Sequence, residues 1–116
     1  MSRFPLLFRQ LLEAGADVNA INKISKTPLI YAASEDNIGC LQVLADSPGI
    51  DLNKVDVIHN EWNALHYAIL QDNVEAVKIL IRAGADKEQR DGIGRDPVTI
   101  AGDHFKLNVQ RYLESI

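Results

Sequence analysis

The chain is poor in cysteine, tryptophan and methionine, with one of each in 116 residues. The single thiol, Cys40, excludes an internal disulfide, and with only three scattered histidines it excludes a Cys/His zinc site. It points to a reducing compartment. Positive charge is not in excess: 12 Lys and Arg stand against 16 Asp and Glu, for a formal net charge of -4. That balance argues against a nucleic-acid partner, because neutralising phosphates takes a basic surface. No run is long and apolar enough to span a membrane. The opening Met1 to Phe8 is signal-like only in outline, since Arg9 and Gln10 interrupt it and no small-residue cleavage site follows. The expectation is a soluble, cytoplasmic protein whose partner is neither nucleic acid nor membrane.

What the chain does hold is apolar material. Hydrophobic residues make up 47% and charged residues 24%, enough for one modest core rather than a disordered chain. That material recurs. Gly15-Ala16-Asp17, Gly49-Ile50-Asp51 and Gly84-Ala85-Asp86 are spaced by 34 and 35 residues. A second series starts at Thr27-Pro28-Leu29, Asn63-Ala64-Leu65 and Asp96-Pro97-Val98, spaced by 36 and 33. Two independent series near one period mark a repeat architecture.

The local chemistry identifies the unit. Thr27, Asn63 and Asp96 are helix N-caps, because their side-chain oxygens accept orphan backbone N–H groups. Pro28 and Pro97 follow at the first helical position, where a missing N–H costs nothing. The first helix of each unit is predicted to run to about Glu35, Gln71 and His104. Asp36-Asn37 and Asp72-Asn73 break it, since Asp and Asn tolerate a left-handed turn. A second helix follows, with Ile38, Leu41, Val43 and Leu44 as its apolar face in one unit and Val74, Val77, Ile79 and Leu80 in the next. Gly15, Gly49 and Gly84 sit just past it, where a C-cap needs positive φ.

The string Leu11 to Ala20, followed by Lys26-Thr27-Pro28-Leu29, resembles the ankyrin repeat, and Leu65-His66-Tyr67-Ala68 with Val77 to Asp86 resembles it again. The resemblance covers nearly the whole chain. It implies an all-α solenoid of stacked helix-turn-helix units with projecting β-hairpin-type loops. The expected division of the single domain 1–116 is a partial N-terminal repeat at 1–20, repeats at 21–54 and 55–89, and a C-terminal capping repeat at 90–116. Three departures stand out. The loop Lys54 to Trp62 is two residues longer than its counterparts and is expected to bulge, Ser47-Pro48 adds one residue after a second helix, and Ala64 replaces the motif proline.

The two ends differ. Gln110 and Glu114 align with Leu41 and Val77 and with Ala45 and Ile81, so polar residues stand where a following repeat would pack. Terminal repeats need such a wet face. Pro5 to Leu12 aligns with a second helix, and Phe4, Leu6, Leu7, Phe8, Leu11 and Leu12 are many apolar residues for a solvated end. A missing preceding repeat, or self-association through that face, is the expectation there.

No chemistry-bearing constellation is apparent, and no cofactor or metal is implied. His66 holds the position of the family histidine, which implies a structural role. Neither His59 nor His104 has a Ser, Cys or Asp partner at a meaningful spacing, so no triad is expected. Cys40 is read as a buried small hydrophobe, the recurring Asp17, Asp51 and Asp86 as turn formers, and Gly92-Ile93-Gly94 as a turn rather than a phosphate loop. Asn19 matches the asparagine that asparaginyl hydroxylases modify in ankyrin-like segments, although turn geometry explains the same residue.

The resemblance places partner contacts on the hairpin tips and the inner face of the first helices. By register these are Lys23, Ile24, Lys26 and Glu35, then His59, Asn60, Trp62, Leu70 and Gln71, then Arg90, Ile93, Arg95 and His104. Trp62, just before an N-cap, reads either as a binding hot spot or as a ring folded back over its own enlarged loop. Lys23, Lys26, Arg90 and Arg95 make this face locally basic and fit an acidic protein or peptide. The function expected is a protein-binding module, without enzymatic activity of its own. The alternative is a regulatory or targeting segment of a larger enzyme or effector.

Overall fold

The computed structural model describes residues 26–116. The readings made for Gly15 to Asp17, Asn19, Lys23, Ile24 and the segment Phe4 to Leu12 lie outside the described residues.

Three helix pairs follow one another: α1 (Pro28–Ser34) and α2 (Ile38–Ala45), α3 (Ala64–Leu70) and α4 (Val74–Ala83), α5 (Pro97–Asp103) and α6 (Leu107–Ser115). Each first helix starts where its cap dictates. Thr27, Asn63 and Asp96 accept from the backbone N–H of Ile30, His66 and Thr99. Each first helix then ends in one left-handed residue, Asp36 (φ 58°), Asp72 (φ 50°) and Phe105 (φ 57°). Asn37 and Asn73 cap the second helices through the Cys40 and Ala76 amides, whereas Lys106 contributes no side-chain cap.

Gly84 closes α4 in the left-handed conformation, as its position predicts, at φ 114°. Gly49 has positive φ as well (76°), but α2 ends earlier, at the right-handed Asp46. The Ser47-Pro48 insertion separates this glycine from the helix end.

First helices pack on first helices, α1 on α3 and α3 on α5, and second helices form a parallel row, α2 on α4 and α4 on α6. Leu29, Ile30, Leu41, Leu44, Leu65, Ile69, Val77, Leu80, Ile100 and Val109 are almost wholly buried between the layers. Burying each such side chain is worth about 1.5–3 kcal/mol, and both the paired helix and the neighbouring unit supply the contacts. Cys40 is among these buried residues, and burial raises its thiol pKa.

Polar bonds stitch the same seams. Asn73 Nδ2 donates to Asp36 Oδ1 at 2.6 Å, and Asn108 Nδ2 and the Val109 amide both donate to Asp72 at 3.2 Å. Gln71 donates to the Ser34 carbonyl at 2.8 Å. Asp51 and Asp86 do form turns, accepting from the amides of Asn53 and Glu88.

In the last unit the aliphatic positions of Leu41 and Val77 are taken by half-buried Gln110, and that of Ile81 by exposed Glu114. Opposite Gln110 stands Gly102, where any Cβ would come within 3.2 Å of the Gln110 amide.

Candidate functional site

The loops before α3 and α5 are each organised by one buried carboxylate. Asp56 is 0% exposed and accepts from the Ile58 amide, the Tyr67 hydroxyl (2.9 Å) and His59 Nδ1 (2.7 Å). Asp91 is 6% exposed and accepts from the amides of Ile93 and Arg95, from the Arg95 guanidinium, and from Trp62 Nε1 at 3.0 Å. Burial alone would raise both carboxyl pKa values. The donors outweigh it, and both lie below the ordinary value. Each carboxylate therefore stays ionised and acts as the hub of its loop.

The middle loop closes through a single antiparallel bridge, Asp56 to Trp62, with the Asp56 amide donating to the Trp62 carbonyl at 2.8 Å. Its two extra residues are absorbed at Asn60 and Glu61, both left-handed at φ 57° and 54°. The tips of the two loops touch, since the Gly92 amide donates to the Asn60 carbonyl at 2.6 Å.

Trp62 is neither an open hot spot nor a ring folded over its own loop alone. It is 6% exposed, anchored by Asp91 of the following loop, and packed edge-on against Tyr67, His66 and His104 at 5.4, 6.3 and 5.8 Å. A ring in that position cannot meet a partner. His59 corrects another expectation, for it does have an acidic partner in Asp56. The remaining partners of Asp56 among the described residues are the Ile58 amide and the Tyr67 phenol, so the pair organises the loop.

His66 has the structural role its position implies. Its Nδ1 accepts from the Asn63 amide while its own amide donates to Asn63 Oδ1, closing a capping box. The ring proton must then lie on Nε2, which donates to the Gln89 carbonyl of the next loop at 2.8 Å. Burial lowers the His66 pKa, and the bond to Gln89 offsets this only in part.

Of the other expected contact residues, Glu35, His59, Asn60, Gln71, Arg90 and Ile93 are exposed, whereas Lys26, Leu70, Arg95 and His104 are half-buried. Lys26 lies 4.9 Å from the Tyr67 ring centroid and 3.4 Å from the Ser34 hydroxyl. Arg95 is committed to Asp91 and Asp103, at 3.0 and 3.4 Å. His104 Nε2 is buried without a partner among the described residues. The basic character expected of this face is thus partly internalised.

Sequence reading passed over Val57 and Ile58, which are 71% and 61% exposed on the middle tip, and the hubs Asp56 and Asp91. The signal was available. Asn22-Lys23-Ile24, Asp56-Val57-Ile58 and Asp91-Gly92-Ile93 repeat one Asx-x-Ile pattern at spacings of 34 and 35.

Residues 2–91 match the family profile described as ankyrin repeats in three copies. This chain belongs to the ankyrin repeat family. Ankyrin repeats generally serve as protein-interaction modules. The match ends inside the last loop, yet the ankyrin architecture continues through α5 and α6. The chain is similar to human Ankyrin repeat and SOCS box protein 3, at 40% identity over 99 residues, covering 84% of this chain and 18% of that protein. It is similar to Alpha-latrotoxin-Lg1a of Latrodectus geometricus, at 26% over 105 residues, 90% of this chain and 8% of that one. It is also similar to mouse Protein phosphatase 1 regulatory subunit 27, at 43% over 63 residues, 53% of this chain and 41% of that one. It therefore spans less than half the length of each of these relatives. Among the described residues no helix is long and apolar enough to cross a membrane.

Proposed function

We propose that this ankyrin stack is a rigid protein-binding module, itself non-catalytic, that meets its partner through the loop tips and the exposed ends of the first helices. The observation that carries this reading is the division of labour in the loops. Asp56, Trp62, His66 and Asp91 are buried and bonded within the fold, while Val57, Ile58, Asn60, Glu61, Arg90 and Ile93 beside them are exposed and make no core. Surface side chains held on such a frame bind with little ordering cost. Gln71 and Glu35 extend this surface along the helix ends, and the exposed Arg90 favours an acidic group opposite it.

A second reading has its own support. Curated relatives carry this kind of segment as 8% to 18% of a much longer chain. On that reading the module is a regulatory or targeting part of a larger protein and supplies its binding specificity.

Affinity capture from a native lysate tests the first reading. Wild type is compared with a tip variant (Ile58→Asp, Ile93→Asp) and a helix-end variant (Glu35→Arg), all with urea midpoints matching wild type. The expected result is a protein retained by wild type and depleted at least tenfold on one or both variants. Equal retention by all three, or none by wild type, overturns the reading.

A further inference from the structure

Asp91-Gly92 is the single Asp–Gly bond of the 116 residues, and no Asn–Gly bond occurs. Such a bond is prone to rearrange, because glycine puts no side chain in the path of its own amide nitrogen toward the aspartyl carboxyl. The fold dictates both residues. Position 91 needs a carboxylate to gather the Ile93 and Arg95 amides, the Arg95 guanidinium and the Trp62 indole. Position 92 needs a bare Cα, since a Cβ there would come within 3.0 Å of the Asn60 carbonyl oxygen. The middle loop carries Asp56-Val57 at the same register, where a branched side chain hinders the same approach.

We propose that Asp91-Gly92 is a latent self-modification site, at which the aspartate isomerises to its β-linked form when the two loop tips part. The Gly92 nitrogen attacks Asp91 Cγ. One carboxyl oxygen leaves as water, taking the amide proton and one proton from solvent, and a succinimide closes. Water then adds at the former main-chain carbonyl of Asp91, and the ring opens to a chain that runs through the former side chain. The water lost is the water regained, so no co-reactant is consumed. Gly92 is exposed, so solvent reaches the bond. In the closed fold the step is opposed at every atom it uses. The Gly92 amide is held by the Asn60 carbonyl at 2.6 Å. Asp91 Oδ1 accepts from the Ile93 and Arg95 amides at 3.1 and 2.9 Å, and Oδ2 from Trp62 Nε1 and Arg95 Nε at 3.0 and 3.1 Å. The Asp91 amide donates to the Arg95 carbonyl and its carbonyl accepts from the Gly94 amide, which stops the rotation that would swing the Gly92 nitrogen over Cγ. These donors also keep the carboxyl ionised, and a carboxylate is a weaker electrophile than a carboxylic acid. Two of the restraints, from Asn60 and Trp62, come from the neighbouring unit. The time the tips spend apart therefore sets the rate. The product lengthens the main chain by one methylene and shortens the arm of the carboxyl, which takes the partner of Trp62 away.

Warm incubation of the whole chain at neutral pH tests this, with cleavage after lysine and electron-transfer fragmentation of the peptide Glu88 to Lys106 as the readout. Chain unfolded in guanidinium chloride is expected to accumulate β-linked Asp91, and native wild type to do so at least tenfold more slowly. Trp62→Phe removes one donor from Asp91 and is expected to fall between them. Should that variant not fold, Arg95→Gln removes another donor and carries the same expectation. Ile30→Val thins the core at α1, outside both loops, and is expected to keep the wild-type rate. Native wild type reacting as fast as unfolded chain, no reaction in unfolded chain, or a loop variant as slow as wild type overturns the proposal. So does equal acceleration by the loop variant and Ile30→Val, since the step would then follow global unfolding and not the parting of the tips.

Discussion

Trp62 shows how one residue can join two units. Its indole N–H reaches Asp91, 29 residues further on, and its ring fills the space between Tyr67 and His104. Removing it leaves a cavity and strips a donor from a buried carboxylate. Trp62→Ala is expected to cost about 3–5 kcal/mol, read as a lowered urea midpoint, and to loosen amide protection in both adjoining loops. An unchanged midpoint would show the ring to be dispensable. Trp62→Phe keeps much of the packing and loses the bond to Asp91, so its cost should be smaller. None of this was legible from the position of Trp62 before an N-cap, because the partner that buries the ring lies in the next unit. The caps were legible for the opposite reason. Thr27, Asn63 and Asp96 act on amides three residues away, and such chemistry is contained in a short string.

Between the helices of each pair, the same turn is built three times from different side chains. Asp36 and Asp72 hold the left-handed position and also accept from the next unit. Phe105 holds it in the last pair with its ring 84% exposed. A bulky residue in that conformation costs roughly 1 kcal/mol, and Lys106 adds no cap to offset it. Phe105→Asn is therefore expected to raise stability by about 1 kcal/mol, as a higher urea midpoint with an unchanged slope. A lower midpoint would mean that the ring makes a contact worth more than the backbone strain. The turns at Asp36 and Asp72 could be read from composition, since Asp favours that conformation. The third could not, because nothing local marks phenylalanine for a left-handed residue.

For the molecule as a whole, the buried ionisable groups set how stability follows pH. His66 has a folded-state pKa below its ordinary 6.5. The unfolded chain therefore takes up a proton there that the folded one resists, and stability falls as pH drops below 6.5. Asp56 and Asp91 lie below their ordinary 3.8, so their contribution is present above that value and is lost as pH falls through the lower folded values. Tyr67 is shifted the other way, above 10.0, by burial and by its bond to Asp56. Its contribution is present below pH 10 and is lost well above it. Urea midpoints measured across pH should be highest between about 6.5 and 10, decline below 6.5 and drop again below about 4. A midpoint that rises from pH 7 to pH 5 would contradict the buried neutral state of His66. At this scale the repeat and its helices were readable, because periodicity survives every local substitution. The hubs of the loops were not, since Asp56 and Asp91 are marked only by burial and by donors from Tyr67 and Trp62, which lie 11 and 29 residues away.

The bond from Trp62 to Asp91 and the one from Gly92 to Asn60 also bear on how such a chain can be remade. A loop transplanted alone would arrive without the carboxylate or carbonyl that its neighbour supplies. Recombination or engineering at this surface should therefore succeed only when consecutive loops travel together, which makes the pair, rather than the single repeat, the smallest piece that can be moved intact.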